Sequence, residues 1–133
     1  MMPSMPDGSV LGSQDVIAFL LTTSYERARP FYRDILGLKL VSEDPFALVF
    51  DANGTMLRIS PLPDMQAAKH TVLGWCVADI ERTVEALTQR GVRFEQYGMP
   101  NQSQSGIWSA PGGAKVAWFK DPDGNTLSLT QFE

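Results

Sequence analysis

Apolar positions along this chain recur with two periods, strand-like and helix-like, and the change from one to the other happens in the same order twice. VIAFLL reads as a buried strand by its apolar run. In SYERARPFYRDIL, Ala28, Phe31, Ile35 and Leu36 recur at helical spacing, and Gly37 supplies a helix stop. KLVSE, FALVF and TMLRIS follow as strands, the last two joined by the turn Asp51-Ala52-Asn53-Gly54. The second copy starts with the strand TVLGWCV and enters the helix DIERTVEALTQR, with Ile80, Val84 and Leu87 on one face and Gly91 after it. Strands VRFEQ, AKVAWF and TLSLTQ complete it, with the turn Asp121-Pro122-Asp123-Gly124-Asn125 between the last two.

Each copy therefore reads β-α-β-β-β, with helices predicted near residues 25–36 and 79–90. The predicted fold is α+β: module 1 over about 15–62 and module 2 over about 70–131, within a single domain spanning 1–133. A unit of this kind covers one sheet face with its helix and leaves the other bare, so two bare faces set together form a curved mixed sheet around a central cavity. Module 2 carries an insertion, GMPNQSQSGIWSAPGG, whose Gly, Ser, Asn and Pro content reads as a loop over the open face.

Composition narrows the functional classes. A hydrophobic content of 44% with 20% charged residues is that of an ordinary soluble globular protein, and no apolar run approaches the roughly 20 residues of a membrane-spanning helix. MMPSMPDGSVLGSQ lacks the basic start and apolar core of a secretory signal, so the expected location is the cytoplasm. The single cysteine excludes an internal disulfide and a multi-cysteine zinc site. A net charge of −4 argues against nucleic acid, which requires clustered Lys and Arg.

RARPFYRDILGLKLV, VADIERTVEALTQRGVRF and FKDPDGNTLSL together resemble the vicinal oxygen chelate superfamily, which includes glyoxalases, bleomycin-resistance proteins and extradiol dioxygenases, over residues 16–131. The FY-x-x-x-LGL segment and the DPDGN turn are the most specific marks. The resemblance implies the tandem βαβββ fold, and for metal enzymes of the superfamily a divalent ion held by side chains on the first and last strand of each module. Those four positions fall on Ile17, Arg58, Val72 and Ser128. Two are hydrocarbon, one is cationic, and a lone neutral hydroxyl is a poor ligand, so no metal and no other cofactor is expected. One-residue shifts give Val16 or Ala18, Thr71 or Leu73, Leu57 or Ile59, and Leu127 or Leu129, which do no better. Asp15 and His70 lie two positions upstream of Ile17 and Val72; they read as exposed strand starts, with a displaced metal site as the alternative. The resemblance also implies a homodimer.

Those positions set which strand parity faces the cavity. Inward go Ile17, Phe19 and Leu21, then Phe46, Leu48 and Phe50, then Met56 and Arg58. Module 2 adds Val72, Gly74, Cys76, Val116, Trp118, Thr126 and Ser128. The opposite parity, which includes Leu20, Val49, Leu57, Ile59, Trp75, Phe119, Leu127 and Leu129, is apolar and suits packing under the helices. The ligand-binding candidates are Phe19, Phe46, Leu48, Arg58, Cys76, Trp108, Trp118 and Ser128, with aromatic stacking on Trp118 and with Arg58 orienting a carboxylate, carbonyl or phosphate. Trp108, in the insertion, is placed either as a lid or as an anchor of its loop. Cys76 reads first as a small buried hydrophobe and second as a nucleophile. Tyr25, Tyr32 and Tyr97 offer phenols for acid-base work if a site gathers them. No catalytic residue can be assigned.

The leading expectation is a metal-free protein that binds or sequesters a small aromatic or hydrophobic molecule, in the manner of antibiotic-resistance proteins. The alternative is a lyase, isomerase or dioxygenase of the same superfamily acting on a small carbonyl or aromatic substrate. A module with a vestigial cavity is the third reading.

Overall fold

Glycine and proline positions decide where both helices of the chain break or end. In the computed structural model, which describes residues 10–133, β1 (Ile17–Thr22) leads into α1 (Tyr25–Pro30). The predicted helix continues past Pro30, but as a π-helical turn, Phe31–Ile35. Pro30 has no N–H to donate and its ring disturbs the preceding turn, and the ladder resumes one residue looser, with the Leu36 N–H donating to Phe31 O at 2.9 Å. Gly37, at φ +81°, then ends the helix.

The strands β2 (Lys39–Asp44), β3 (Ala47–Ala52) and β4 (Thr55–Pro61) complete module 1. Its sheet has the order β1-β4-β3-β2, with β1 parallel to β4 and the other pairs antiparallel. Module 2 repeats the plan: β5 (Thr71–Cys76), α2 (Ile80–Gln89), β6 (Trp108–Ser109), β7 (Lys115–Lys120) and β8 (Thr126–Gln131), in the order β5-β8-β7-β6. Asp79 caps α2 by accepting from the Arg82 N–H, and the helix buries Ile80, Val84 and Leu87 as its periodicity predicts.

The strand expected at VRFEQ does not form. Only one bridge, Phe94 to Phe119, joins it to β7. Beyond it the Gln102 side chain donates to Glu95 O and accepts from the Tyr97 N–H, which satisfies this backbone locally. The outer strand position goes instead to Trp108–Ser109, from the far side of the insertion.

Both helix-covered faces feed one core, which includes Phe31, Tyr32, Phe50, Leu57 and Ile59 from module 1 and Ile80, Val84, Phe119 and Leu127 from module 2. A polar tie closes it. The buried Asp121 carboxylate accepts from the N–H groups of Asp123 and Asn125, from the Asn125 amide, and from the Tyr32 hydroxyl at 2.6 Å. Asp123 accepts from the hydroxyls of Thr22 and Thr23 and from the Thr23 N–H, just ahead of α1, while the Asn125 amide also reaches Leu21 O. The DPDGN turn of module 2 is thereby bonded to the end of β1 and to the helix of module 1.

Two tests follow from this tie. Tyr32→Phe leaves a buried carboxylate short of one donor and should cost about 1–3 kcal/mol, lowering the melting temperature by several degrees in a thermal scan. Burial works to raise the pKa of Asp123, but the hydrogen bonds from Thr22 and Thr23, with Arg27 nearby, outweigh it and hold the pKa below the ordinary value. A carboxylate depressed on folding contributes stability that is fully present above its unfolded pKa of about 3.9 and is lost as pH falls through the lower folded value. Denaturant midpoints of the wild type should therefore fall below about pH 4, and those of Asp123→Asn should fall less steeply.

Candidate ligand-binding faces

Register determines which side chains share each uncovered sheet face. In module 1, Ile17 lies beside Met56, Phe19 beside Arg58, and Leu21 beside Ser60. On the other side of β4, Arg58 pairs with Val49 and Ile59 with Leu48. The open face is thus Ile17, Phe19, Leu21, Met56, Arg58 and Val49. Phe19 is 65% exposed, and Ile17, Leu21 and Met56 are exposed as well.

The expected phase of β3 is corrected by one residue. Leu48 is fully buried under the helices, as is Phe50, and Val49 takes the place on the open face. The cause is the two-residue hairpin loop Asn53-Gly54, which has positive φ at both positions (52° and 93°) and sets Ala52 against Thr55. Counting back from that pair puts Val49, not Leu48, opposite Arg58. Phe46 falls in the β2–β3 turn at 76% exposure, its N–H held by the Asp44 side chain, and is not part of the strand face.

In module 2 the register keeps the expected phase from Leu73 onward, while an irregularity between Thr71 and Leu73 sets Thr71, not Val72, against Thr126. Gly74, Ser128 and Trp118 form one row across β5, β8 and β7; Cys76, Thr130 and Val116 form the next, extended by Trp108 on β6. A Cβ on Gly74 would stand 2.6 Å from Ser128 Oγ, so the glycine leaves room for the buried serine hydroxyl to pack against it, next to Trp118 in the same row. Trp108 stacks obliquely on Trp118 (centroids 6.1 Å apart, planes at 34°), and Tyr97 meets Trp118 edge to face at 5.4 Å. Trp108 is an anchor rather than a lid: it belongs to a strand, and its loop is fastened by Gln102 and by the Ser109 N–H donating to Asn101 O. Tyr97 was identifiable in the sequence only as a phenol, since nothing in the insertion's length showed that it returns to β7.

Other candidates are placed more plainly. Cys76 is exposed, on the edge strand β5, and not buried as expected. Tyr32 serves the inter-module tie; burial above all, then the neighbouring Asp121 charge, raises its pKa far above the ordinary phenol value. Tyr25 donates to Asp44 O and is also shifted upward, by partial burial and then by Asp44 and Glu43, with Arg58 pulling the other way. Neither phenol is set up as a base. Among the described residues no carboxylate lies within ion-pair distance of Arg58, although four other basic side chains have such partners.

The positions of a superfamily metal site, Ile17, Arg58, Val72 and Ser128, offer hydrocarbon, a guanidinium and one hydroxyl, a donor set that does not fit a divalent ion. Asp15 and His70 are exposed and precede β1 and β5. Among the described residues no group of three or more His, Cys, Asp or Glu side chains is placed to hold a metal.

The two open faces do not enclose one another within the chain. The ties between modules run through the core side and the strand ends, and a cavity to which both faces contribute, of about 250 Å³, is walled by Phe19, Leu21, Ser60, Val72 and Asn125 with part of the linker. Arg58 and Trp118 are not among its walls, contrary to the expectation that both project into one intramolecular cavity. No helix among the described residues is long and apolar enough to cross a membrane.

Comparison with known proteins gives a consistent result. Residues 14–129 match the family described as the Glyoxalase/Bleomycin resistance protein/Dioxygenase superfamily. Among solved structures, a lactoylglutathione lyase from Agrobacterium tumefaciens superposes with a TM-score of 0.70 at 17% identity, covering 90% of this chain and 95% of that one. A superfamily member from Sphaerobacter thermophilus gives 0.67 at 23% identity (88% and 95% covered), and one from Nocardioides gives 0.64 at 22% (92% and 86%). At these identities the likeness is one of fold. A search of curated proteins finds no match.

The corrected phase of β3 can be checked by stability. Leu48→Ala should cost about 2–5 kcal/mol as a core truncation, whereas Phe19→Ala, on an exposed face, should change the unfolding free energy of the monomer by no more than about 1 kcal/mol. Urea denaturation of both variants reads the difference; equal costs would place Leu48 back on the open face.

Proposed function

The chain belongs to the Glyoxalase/Bleomycin resistance protein/Dioxygenase superfamily, and within it we propose a metal-free protein that binds a small aromatic or hydrophobic molecule, with a second copy of the chain closing the open faces over the ligand. The observation that carries this reading is the content of those faces. Where a metal enzyme of the superfamily needs electron-pair donors, this chain has Ile17, Arg58, Val72 and Ser128; Arg58 has no carboxylate partner among the described residues, and a pair of mutually inclined tryptophans lies near Ser128.

A planar ligand would lie against Trp118 and Trp108, beside the low step at Gly74 and Ser128. Arg58 would take a carboxylate, carbonyl or phosphate oxygen, since a guanidinium on an apolar face offers several N–H donors and no acceptor. Ile17, Phe19, Leu21, Met56 and Val72 form an exposed apolar set of the kind that marks an interaction surface. Pairing of two copies through these faces would bury it. The superfamily's lyase, isomerase and dioxygenase chemistry remains the competing reading, and the likeness to a lactoylglutathione lyase supports it only at the level of fold.

Binding is tested by titrating tryptophan fluorescence with a panel of planar aromatic compounds. Trp118→Ala removes a stacking surface worth on the order of 1 kcal/mol, so affinity should fall several-fold or more. Arg58→Met should weaken only ligands with an anionic or strongly polar group. Wild-type affinity retained in both variants would contradict the site. Assembly is tested separately by sedimentation: the wild type should run as a dimer and Phe19→Glu as a folded monomer. A wild-type monomer at high concentration would refute closure by a second copy.

A further inference from the structure

The module 2 face carries a charge arrangement that the aromatic reading does not use. Tyr97, Trp108 and Trp118 form a corner, with Tyr97 at 70° to Trp118 as a wall and the two tryptophans as an inclined floor. Both indoles are half-buried and Tyr97 is 47% exposed, so ring faces remain open to a ligand. Beside the corner runs Glu95, whose N–H donates to Trp118 O at 2.8 Å and whose carboxylate is close enough to push the Tyr97 phenol upward, after the effect of partial burial. Glu95 has no ion-pair partner among the described residues. The cation on the same face of β7, Lys120, is turned onto the Thr126 hydroxyl at 3.2 Å.

Electron-rich ring faces meeting at an angle, with a carboxylate at the rim that forms no ion pair among the described residues although Arg93 and Lys120 line a hollow with it, attract a positive group of low hydration. We propose that this corner is an organic-cation site, taking a quaternary ammonium or a charged planar amine against Trp118 and Tyr97 with Glu95 as counter-charge. The proposal rests on the reading of this face as a binding surface and specifies the charge of what binds there. Arg58 lies on the other module's face, which does not close over this corner within one chain, so a polar oxygen at the far end of the same ligand would meet the Arg58 of a second copy.

The test compares two probes of nearly the same shape, (4-hydroxyphenyl)trimethylammonium and its neutral isostere 4-tert-butylphenol, by tryptophan fluorescence excited at 295 nm. The neutral probe is the more hydrophobic, so apolar burial alone would favour it. The expected result is tighter binding of the cation, a several-fold loss of cation affinity in Glu95→Gln with the neutral probe unchanged, and salt weakening the cation only. Trp118→Ala should weaken both. Equal or tighter binding of the neutral probe, or an unchanged cation affinity in Glu95→Gln, overturns the proposal; absence of binding by either probe also overturns it. Binding of the neutral probe alone would sink the cation site and leave the aromatic-ligand reading standing.

Discussion

A five-residue turn carrying two carboxylates holds the two halves of this protein in their arrangement. Asp121, buried and accepting four hydrogen bonds, fixes the DPDGN loop against Tyr32, and Asp123 fixes the same loop against Thr22 and Thr23 at the entrance to α1. Ionised groups this enclosed are tolerated only when their lone pairs are satisfied, and here the donors come from both modules. The tie therefore specifies one packing of module against module. It brings the helix-covered faces into a common core, with Phe31 against Phe119, and turns the other two faces outward.

Those outward faces carry the surface available to a ligand. A chain that buried them against each other would have an internal cavity; this one presents each separately, apolar with a lone arginine in module 1, aromatic with a hydroxyl floor in module 2. Exposing so much hydrocarbon is costly in water unless something covers it, which is why the proposed occupants are a small molecule and a second copy of the chain. Superfamily membership alone leaves the chemistry open, because the same fold serves enzymes and binders. The residues at the metal positions narrow it: a guanidinium and two alkyl groups repel or ignore a divalent ion, however well the fold is preserved around them.

Most of the architecture was legible in the sequence, because period, stop and turn recur together in each copy. The α2 face of Ile80, Val84 and Leu87, the glycine stops, the two turns and the phase of β7, of β8 and of β5 from Leu73 onward follow directly from spacing. The errors have local causes. Alternation places Phe46, Leu48 and Phe50 on one face of β3, but Phe46 lies in the turn, and the count back from the Asn53-Gly54 loop puts Val49 on the open face instead of Leu48. VRFEQ alternates like a strand, but after Glu95, whose N–H pairs with Trp118 O, the Gln102 side chain takes the Glu95 carbonyl and the Tyr97 N–H. Pro30 signalled a disturbed helix without saying that the ladder would resume as a π turn. That Trp108 and Tyr97 converge on Trp118 depends on how a long polar loop closes, which composition and periodicity do not encode.

The central claim, binding without a metal, is tested most directly by elemental analysis of protein purified without chelators. The account predicts far less than one zinc, nickel, iron or manganese per chain. One tightly held ion per chain, lost together with ligand binding on chelation and restored with it, would contradict it and return the protein to the superfamily's metal chemistry.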